Sequence, residues 1–277
     1  MYSLEGAKVG QEQGGQIEVS LDWAGAPSEV QSSGPAFHAR TYLIDRALRE
    51  LQPRRLLDIG CGRGYVTAIA ARHARQIIAT DLAPDALEAT NALLQDHPDA
   101  RTFVANVLDG DWGEGTGEAG TPFDVVLLSE VLEHLDDDLA ALAACQRLLS
   151  PGGCLLLTVP GNPALWTRWD DLAGHKRRYT RQELVSKLEG SGFRVRSLVN
   201  WGFPLTGWLA IRGARMRARR VEEQNPDGEV PSGLRRVLPL ASIGFKIAAR
   251  IEPWFSFLDR GVGYVVVAEP AGGRALV

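Results

Sequence analysis

Arg55-Leu-Leu-Asp58-Ile-Gly60-Cys61-Gly62-Arg-Gly64-Tyr65 is the stretch on which the fold of this chain turns. A short apolar run ends in an acid, three alternating glycines follow, and a helical pattern over Val66–His73 comes next. Glycines at such a turn let the backbone approach a ligand closely, and the helix behind them presents free N–H groups. A dinucleotide fingerprint needs G-x-G-x-x-G, so that a pyrophosphate meets the helix N-terminus. Here the third glycine falls one residue early, at Gly64, and the sixth position is Tyr65. Asp58 would repel a pyrophosphate and attract a ligand that carries an amino group. Seventeen residues beyond Gly64 stands Asp81, at the end of the next apolar run, where an acid can accept both hydroxyls of a ribose. Acid, glycine turn and ribose-binding acid together describe a cationic nucleoside with an amino-acid tail, S-adenosylmethionine.

Outward from this turn the chain alternates. Arg55–Gly60, Gln76–Asp81, Thr102–Ala105, Asp124–Leu128 and Cys154–Val159 read as strands. Helical spacing fills the gaps: Val66–His73, Pro84–Leu94 and Asp138–Leu149. The apolar runs lack clean alternation, which predicts strands buried on both faces and hence a parallel sheet covered by helices, the doubly wound α/β class. Upstream, Ile44, Leu48 and Leu51 mark a helix that Pro53 stops. Downstream, the capping box Thr180-x-x-Glu183 opens a helix that ends near Gly190–Gly192. Phe193–Val199 and Gly261–Glu269 close the set of strands, and 204–220 and 233–257 read as helical. The expected organisation is a loosely ordered arm (1–34), a core (35–202), a helical insertion (203–258) and a last strand with its tail (259–277).

Composition narrows the function classes. The chain has 277 residues, 45% hydrophobic and 23% charged, with a net charge of −4. No global basic footprint for nucleic acid is present, and no nucleic-acid partner is expected. No run approaches 18 apolar residues, so no membrane span is expected. The first twenty residues lack a cationic start and an apolar block, and three scattered cysteines (Cys61, Cys145, Cys154) make no disulfide framework. Both observations predict a reducing, cytoplasmic setting.

DIGCGRG followed by TDLAPDAL resembles the first two motifs of class I S-adenosylmethionine-dependent methyltransferases. FDVVLLSEVLEHLDD and RLLSPGGCLLLTVP are similar to that family's fourth- and fifth-strand motifs. FHARTYLIDRAL, EVLEHL and GHKRRYTRQEL further resemble the branch that contains the ubiquinone-biosynthesis O-methyltransferases, together with methyltransferases of secondary metabolites and sugars. The resemblance implies a Rossmann-like, mostly parallel seven-stranded sheet whose last strand inserts antiparallel. It implies that Asp58, Gly60 and Gly62 cradle the methionine part of the cofactor and that Asp81 takes the ribose hydroxyls while Leu82 covers the adenine. Asn106 stands where an Asp often contacts the adenine amine, Ser129 lies beside the transferred methyl, and Arg40 matches a cofactor-contacting arginine of the branch. The implied reaction is methyl transfer to a small-molecule acceptor, favouring a hydroxyl of a phenol, quinol, sugar or secondary metabolite. Nitrogen or carbon acceptors, and a catalytically silent scaffold, are the alternatives.

Two histidines are candidates for catalysis. His134 is four residues beyond Glu130 and could remove the acceptor's proton or order its loop through Glu133. His175 lies in GHKRRY, on the loop expected to hold the acceptor. Glu130, Trp166, Arg178 and Tyr179 are the candidate substrate contacts, although Arg177 and Arg178 could instead pair with Asp170 and Asp171. His38, His73 and His97 have no acid or cysteine at ligand spacing, so no metal site is expected. Trp201, Phe203, Trp208, Trp254, Phe255 and Phe257 flank five arginines between 212 and 220. They form either a cap over an apolar acceptor pocket or a face, within 204–257, that rests on a membrane surface.

Overall fold

The computed structural model describes residues 34–108, 122–222 and 250–272, with short pieces at 8–9, 19–20, 244 and 247–248. Most of the expected arm (1–34) and much of the helical stretch expected at 233–257 lie outside the described residues.

Seven strands form one sheet: β1 (Arg55–Ile59), β2 (Gln76–Asp81), β3 (Ala100–Val104), β4 (Phe123–Ser129), β5 (Leu149–Pro160), β6 (Phe193–Trp201) and β7 (Gly263–Pro270). Their order across the sheet is β3-β2-β1-β4-β5-β7-β6. β1 to β5 pair in parallel, and β7 runs antiparallel between β5 and β6. The helices are α1 (Pro35–Leu51), α2 (Tyr65–Ala71), α3 (Pro84–Leu94), α4 (Asp138–Leu148), α5 (Arg168–Leu172), α6 (Arg181–Gly190) and α7 (Thr206–Glu222). A 3-10 segment spans Glu252–Leu258.

Alternate strand residues are buried on opposite faces. Leu57, Ile59, Val126 and Leu128 pack with Leu142 and Cys145 of α4 and Leu184 and Leu188 of α6. Leu56, Val125, Leu127 and Leu156 pack with Ile44 and Leu48 of α1. Burial on both faces is why the strands lack a polar alternation. Leu139, in the first turn of α4, is exposed.

The 3-10 segment is tied to α7 by a buried acid. Glu252 accepts from the backbone N–H groups of Leu205 (2.9 Å) and Thr206 (2.6 Å) and from the Thr206 hydroxyl. These are N–H groups that a helix cannot satisfy from within.

The sheet order reverses between β1 and β4, so their C-terminal ends open a crevice of the kind in which doubly wound sheets bind ligands. The Gly60–Gly64 turn, Asp81, and the Ser129–His134 segment all lie at that edge.

Candidate active site

The three turn glycines all adopt positive φ, at 69°, 54° and 78° for Gly60, Gly62 and Gly64. Their surroundings differ. A Cβ on Gly60 would stand 2.5 Å from Val131, and one on Gly64 would meet the Thr90 backbone at 2.9 Å. A Cβ on Gly62 would meet nothing within 4 Å, so this glycine borders open space.

Two carboxylates bracket that space. Asp58 is buried and accepts from the Thr67 hydroxyl at 2.7 Å. Burial pushes its pKa up to about 7, the Thr67 bond acting against this and the Asp81 charge adding to it. Asp81 accepts from the backbone N–H groups of Gly62 (2.8 Å) and Ala83 (3.0 Å), which fixes its carboxylate beside the turn. Each of its oxygens keeps a further lone pair. Leu82, next in the chain, is 65% exposed, a large apolar side chain in solvent at the crevice. Asn106 turns its side-chain oxygen into its own loop, accepting from Leu108 N–H at 3.0 Å.

Beyond β4 a second cluster forms. Ser129 and Thr158 hydroxyls lie 3.1 Å apart, and Thr158 donates to Glu130 at 3.0 Å. The other Glu130 oxygen pairs with Arg40 at 3.0 Å. Glu130 has φ 59°, so it leaves the strand in a direction of its own and does not share a helical face with His134. The 3-10 turn Leu132–His134 carries His134 toward His175, whose loop it meets with ring centroids 4.9 Å apart.

Glu133 approaches both rings; the sequence reading named it only as an acid that could order the His134 loop. It is fully buried, both carboxyl oxygens lack a hydrogen-bond partner, and Oε1 is 4.0 Å from Nε2 of both His134 and His175. That distance is too long for a hydrogen bond and leaves room for an atom shared by the three groups. Burial, with the Glu130 charge adding, holds the Glu133 pKa well above the carboxylate range. Burial and the neighbouring His175 lower that of His134. One ligand atom from each of Glu133, His134 and His175 lies within 4.8 Å of the others, a set able to hold a metal ion. Spacing alone hid it, because His175 is 41 residues from His134.

Asp170 organises the loop that carries His175. It accepts from His175 Nδ1 at 2.9 Å, from Arg178 at 2.8 and 3.1 Å, and from Thr167 through both backbone and hydroxyl. Burial acts against it, but the bonds from His175 and Arg178 outweigh burial and hold Asp170 below the usual range. An ionised acid can only accept, so His175 carries a proton on Nδ1 and turns Nε2 toward Glu133.

Two of the expected substrate contacts are corrected by this arrangement. Arg178 is buried in its two-pronged pair with Asp170 and donates its remaining bond to Gly161 O at 3.2 Å. Tyr179 is fully buried, its hydroxyl donating to Asp138 at 3.0 Å. The polar atoms of both side chains are bonded within the fold, as burying a guanidinium or a phenol requires. Glu130 is held by Arg40 and Thr158 but stays partly accessible at the β4 edge. Trp166 is half-exposed and donates to Asp171 at 3.0 Å.

The sequence profile described as "Methyltransferase domain" matches residues 36–198. Ubiquinone biosynthesis O-methyltransferase of Cereibacter sphaeroides is 39% identical over 110 residues, covering 39% of this chain and 42% of that protein. The protein of the same name from Xanthomonas oryzae pv. oryzae is 35% identical over 109 residues, covering 39% of this chain and 44% of that protein. The chain thus spans less than half the length of these curated relatives. Among solved structures, the Haloferax volcanii putative methyltransferase bound to the Trm112 activator superposes with TM-score 0.58 at 15% identity, covering 90% of this chain and 96% of that one. The N-methyltransferase NodS of Bradyrhizobium japonicum, solved with S-adenosyl-L-homocysteine, superposes with TM-score 0.51 at 20% identity over 64% and 85%. At these identities the structural likeness is one of fold.

Proposed function

The chain belongs to the methyltransferase-domain family whose profile covers residues 36–198, and from that premise we propose that it transfers a methyl group from S-adenosylmethionine to a hydroxyl group of a small molecule. The observation that carries this reading is the open side of Gly62 between two fixed carboxylates, Asp58 and Asp81. A cation entering there offsets the cost of ionising buried Asp58, and the free lone pairs of Asp81 suit a pair of ribose hydroxyls. Exposed Leu82 is placed to cover a flat base.

Bound in this crevice, S-adenosylmethionine would supply an electrophilic methyl group on sulfonium. The chain's own residues orient the acceptor and take up its proton. Ser129 and the Arg40–Glu130 pair form the β4 edge of the site. His134, mostly neutral at neutral pH, and His175, aimed by Asp170, converge on one position beside Glu133. A hydroxyl at that position can pass its proton to either imidazole, a role that typically contributes 10²- to 10⁴-fold. The hydroxyl acceptor follows the O-methyltransferase names of the curated relatives.

A second reading of the same cluster is favoured by the two unpartnered Glu133 oxygens: a divalent cation held by Glu133, His134 and His175, with the acceptor oxygen bound to it. Calorimetry with S-adenosylmethionine, and NAD as control, tests the cofactor assignment. Binding of S-adenosylmethionine alone is expected, with affinity falling at least about tenfold in Asp81→Ala through loss of charge-assisted hydrogen bonds. An unchanged dissociation constant removes the ribose role, and absence of binding in the parent protein overturns the function. Methyl transfer to hydroxylated aromatics with and without a chelator separates the two uses of the cluster. Full activity in chelator, lost in His134→Ala, supports proton transfer. Loss in chelator, restored by Mg²⁺ or Mn²⁺ in the parent but not in Glu133→Gln, supports the cation.

A further inference from the structure

We infer that the surface formed by α7 and the Glu252–Leu258 segment docks on an anionic lipid membrane, lying on it and not crossing it.

Three large aromatic side chains there stand in solvent: Trp254 is 78% exposed, Phe257 77% and Trp208 63%. Their arrangement is regular. Side chains three apart in a 3-10 helix eclipse one another, so Ile251, Trp254 and Phe257 make one row, and all three are exposed. On α7, Trp208, Arg212, Arg215 and Arg219 recur at helical spacing on the exposed face. The segment is fixed at the N-terminus of α7 by Glu252, which binds Leu205 and Thr206, and by Phe255 against Phe203 with ring centroids 6.3 Å apart. The aromatic row therefore adjoins the start of α7, from which Trp208 and the arginine face run on.

Charge identifies the occupant. The chain as a whole is acidic, at −4, yet Thr206–Val221 contains no acidic residue. Among the described residues, Arg212, Arg215 and Arg219 form no ion pair, and Arg212 lies over the Trp208 ring at 5.9 Å. The carboxylates of the adjoining segment are already engaged, Glu252 in the helix cap and Asp259 with Arg181 at 3.2 Å. Cations mixed with tryptophan and phenylalanine on one exposed face suit the headgroup region of an anionic bilayer, where rings enter the boundary and guanidinium groups meet phosphates. Among the described residues no helix is long and apolar enough to cross a membrane.

The test is co-sedimentation of the full chain with vesicles of phosphatidylcholine alone or mixed equally with phosphatidylglycerol, at low and high salt. Partition onto the mixed vesicles, weakened by salt, is expected, with little on phosphatidylcholine. Trp254→Ala/Phe257→Ala should lower partition roughly tenfold for each ring withdrawn. Arg212→Gln/Arg215→Gln/Arg219→Gln should lower it roughly a hundredfold, about fivefold for each cation near the surface. All five positions are exposed, so the variants should melt like the parent, which thermal unfolding checks. Failure of the parent to partition, or equal partition by parent and variants, overturns the proposal. So does a dimer in solution that Trp254→Ala/Phe257→Ala converts to a monomer, since the row would then cover a second copy. None of these readouts depends on methyl transfer, so the docking surface and the proposed activity can fail separately.

Discussion

Asp58 is a carboxylic acid with almost no access to water, and its environment favours the neutral form. In the unfolded chain it ionises near 3.8, and in the fold near 7. Its contribution to stability is therefore complete below about pH 4 and is lost as pH rises toward 7. At pH 8 the buried carboxylate costs roughly 4 kcal/mol, about three pKa units at 1.4 kcal/mol each. Asp58→Asn keeps the acceptor for Thr67 and removes the charge. The variant should melt several degrees above the parent at pH 8 and within a degree or so of it at pH 3.5, while binding a cationic ligand more weakly; a pH series of thermal melts checks this. Asp58 and Asp81 were legible in the sequence because each stands at the end of an apolar strand run, beside a glycine turn whose pattern is itself readable. The Arg178–Asp170 pair was one of the two readings that the sequence offered, whereas nothing in GHKRRY says that Tyr179 folds inward onto Asp138. The two partners lie 8 and 41 residues away.

The glycine turn shows the same division at the level of an element. All three glycines need positive φ, so an alanine at any of them costs about 1 kcal/mol or more in backbone strain. Gly64 adds a collision with the Thr90 backbone of α3, whereas Gly62 adds none. Gly64→Ala should therefore be severely destabilised, by roughly 3 kcal/mol or more, with α2 and α3 forced apart. Gly62→Ala should fold with a modest loss of melting temperature but bind S-adenosylmethionine at least about tenfold more weakly, because the new methyl enters the ligand's space. Calorimetry beside thermal unfolding distinguishes the two, and unchanged affinity in Gly62→Ala would show that the turn is architecture alone. Sequence spacing located the turn and each strand of the seven-stranded sheet, but not the short Lys8–Val9 and Val19–Ser20 pair, and β5 begins at Leu149 and not at Cys154, since the Pro151–Gly153 irregularity interrupts its pattern. The His134–Glu133–His175 cluster was half legible. The histidines stood out by type, but their meeting depends on Lys176 N–H bonding Glu133 O at 2.8 Å, a contact between distant loops.

Across the whole molecule, the last strand joins the two halves of the sheet. β7 pairs with β5 through Leu155–Pro160 and with β6 through Phe193–Trp201, and Tyr264–Ala268 are buried. Residues 35–202 read in the sequence as a core of their own, yet without β7 that core has two unpaired strands and an apolar gap between them. A chain truncated after Gly202 should give no cooperative thermal transition by circular dichroism and should aggregate on size exclusion; a monomer that melts cooperatively would refute this. The same insertion has a consequence during synthesis. β6 is complete about sixty residues before β7 begins, roughly 3–12 s at ordinary translation rates. Through those seconds the nascent chain carries open sheet edges in a crowded cell. The yield of active protein is then governed by how well ribosome-bound chaperones shield those edges, and only afterwards by how stable the finished sheet is.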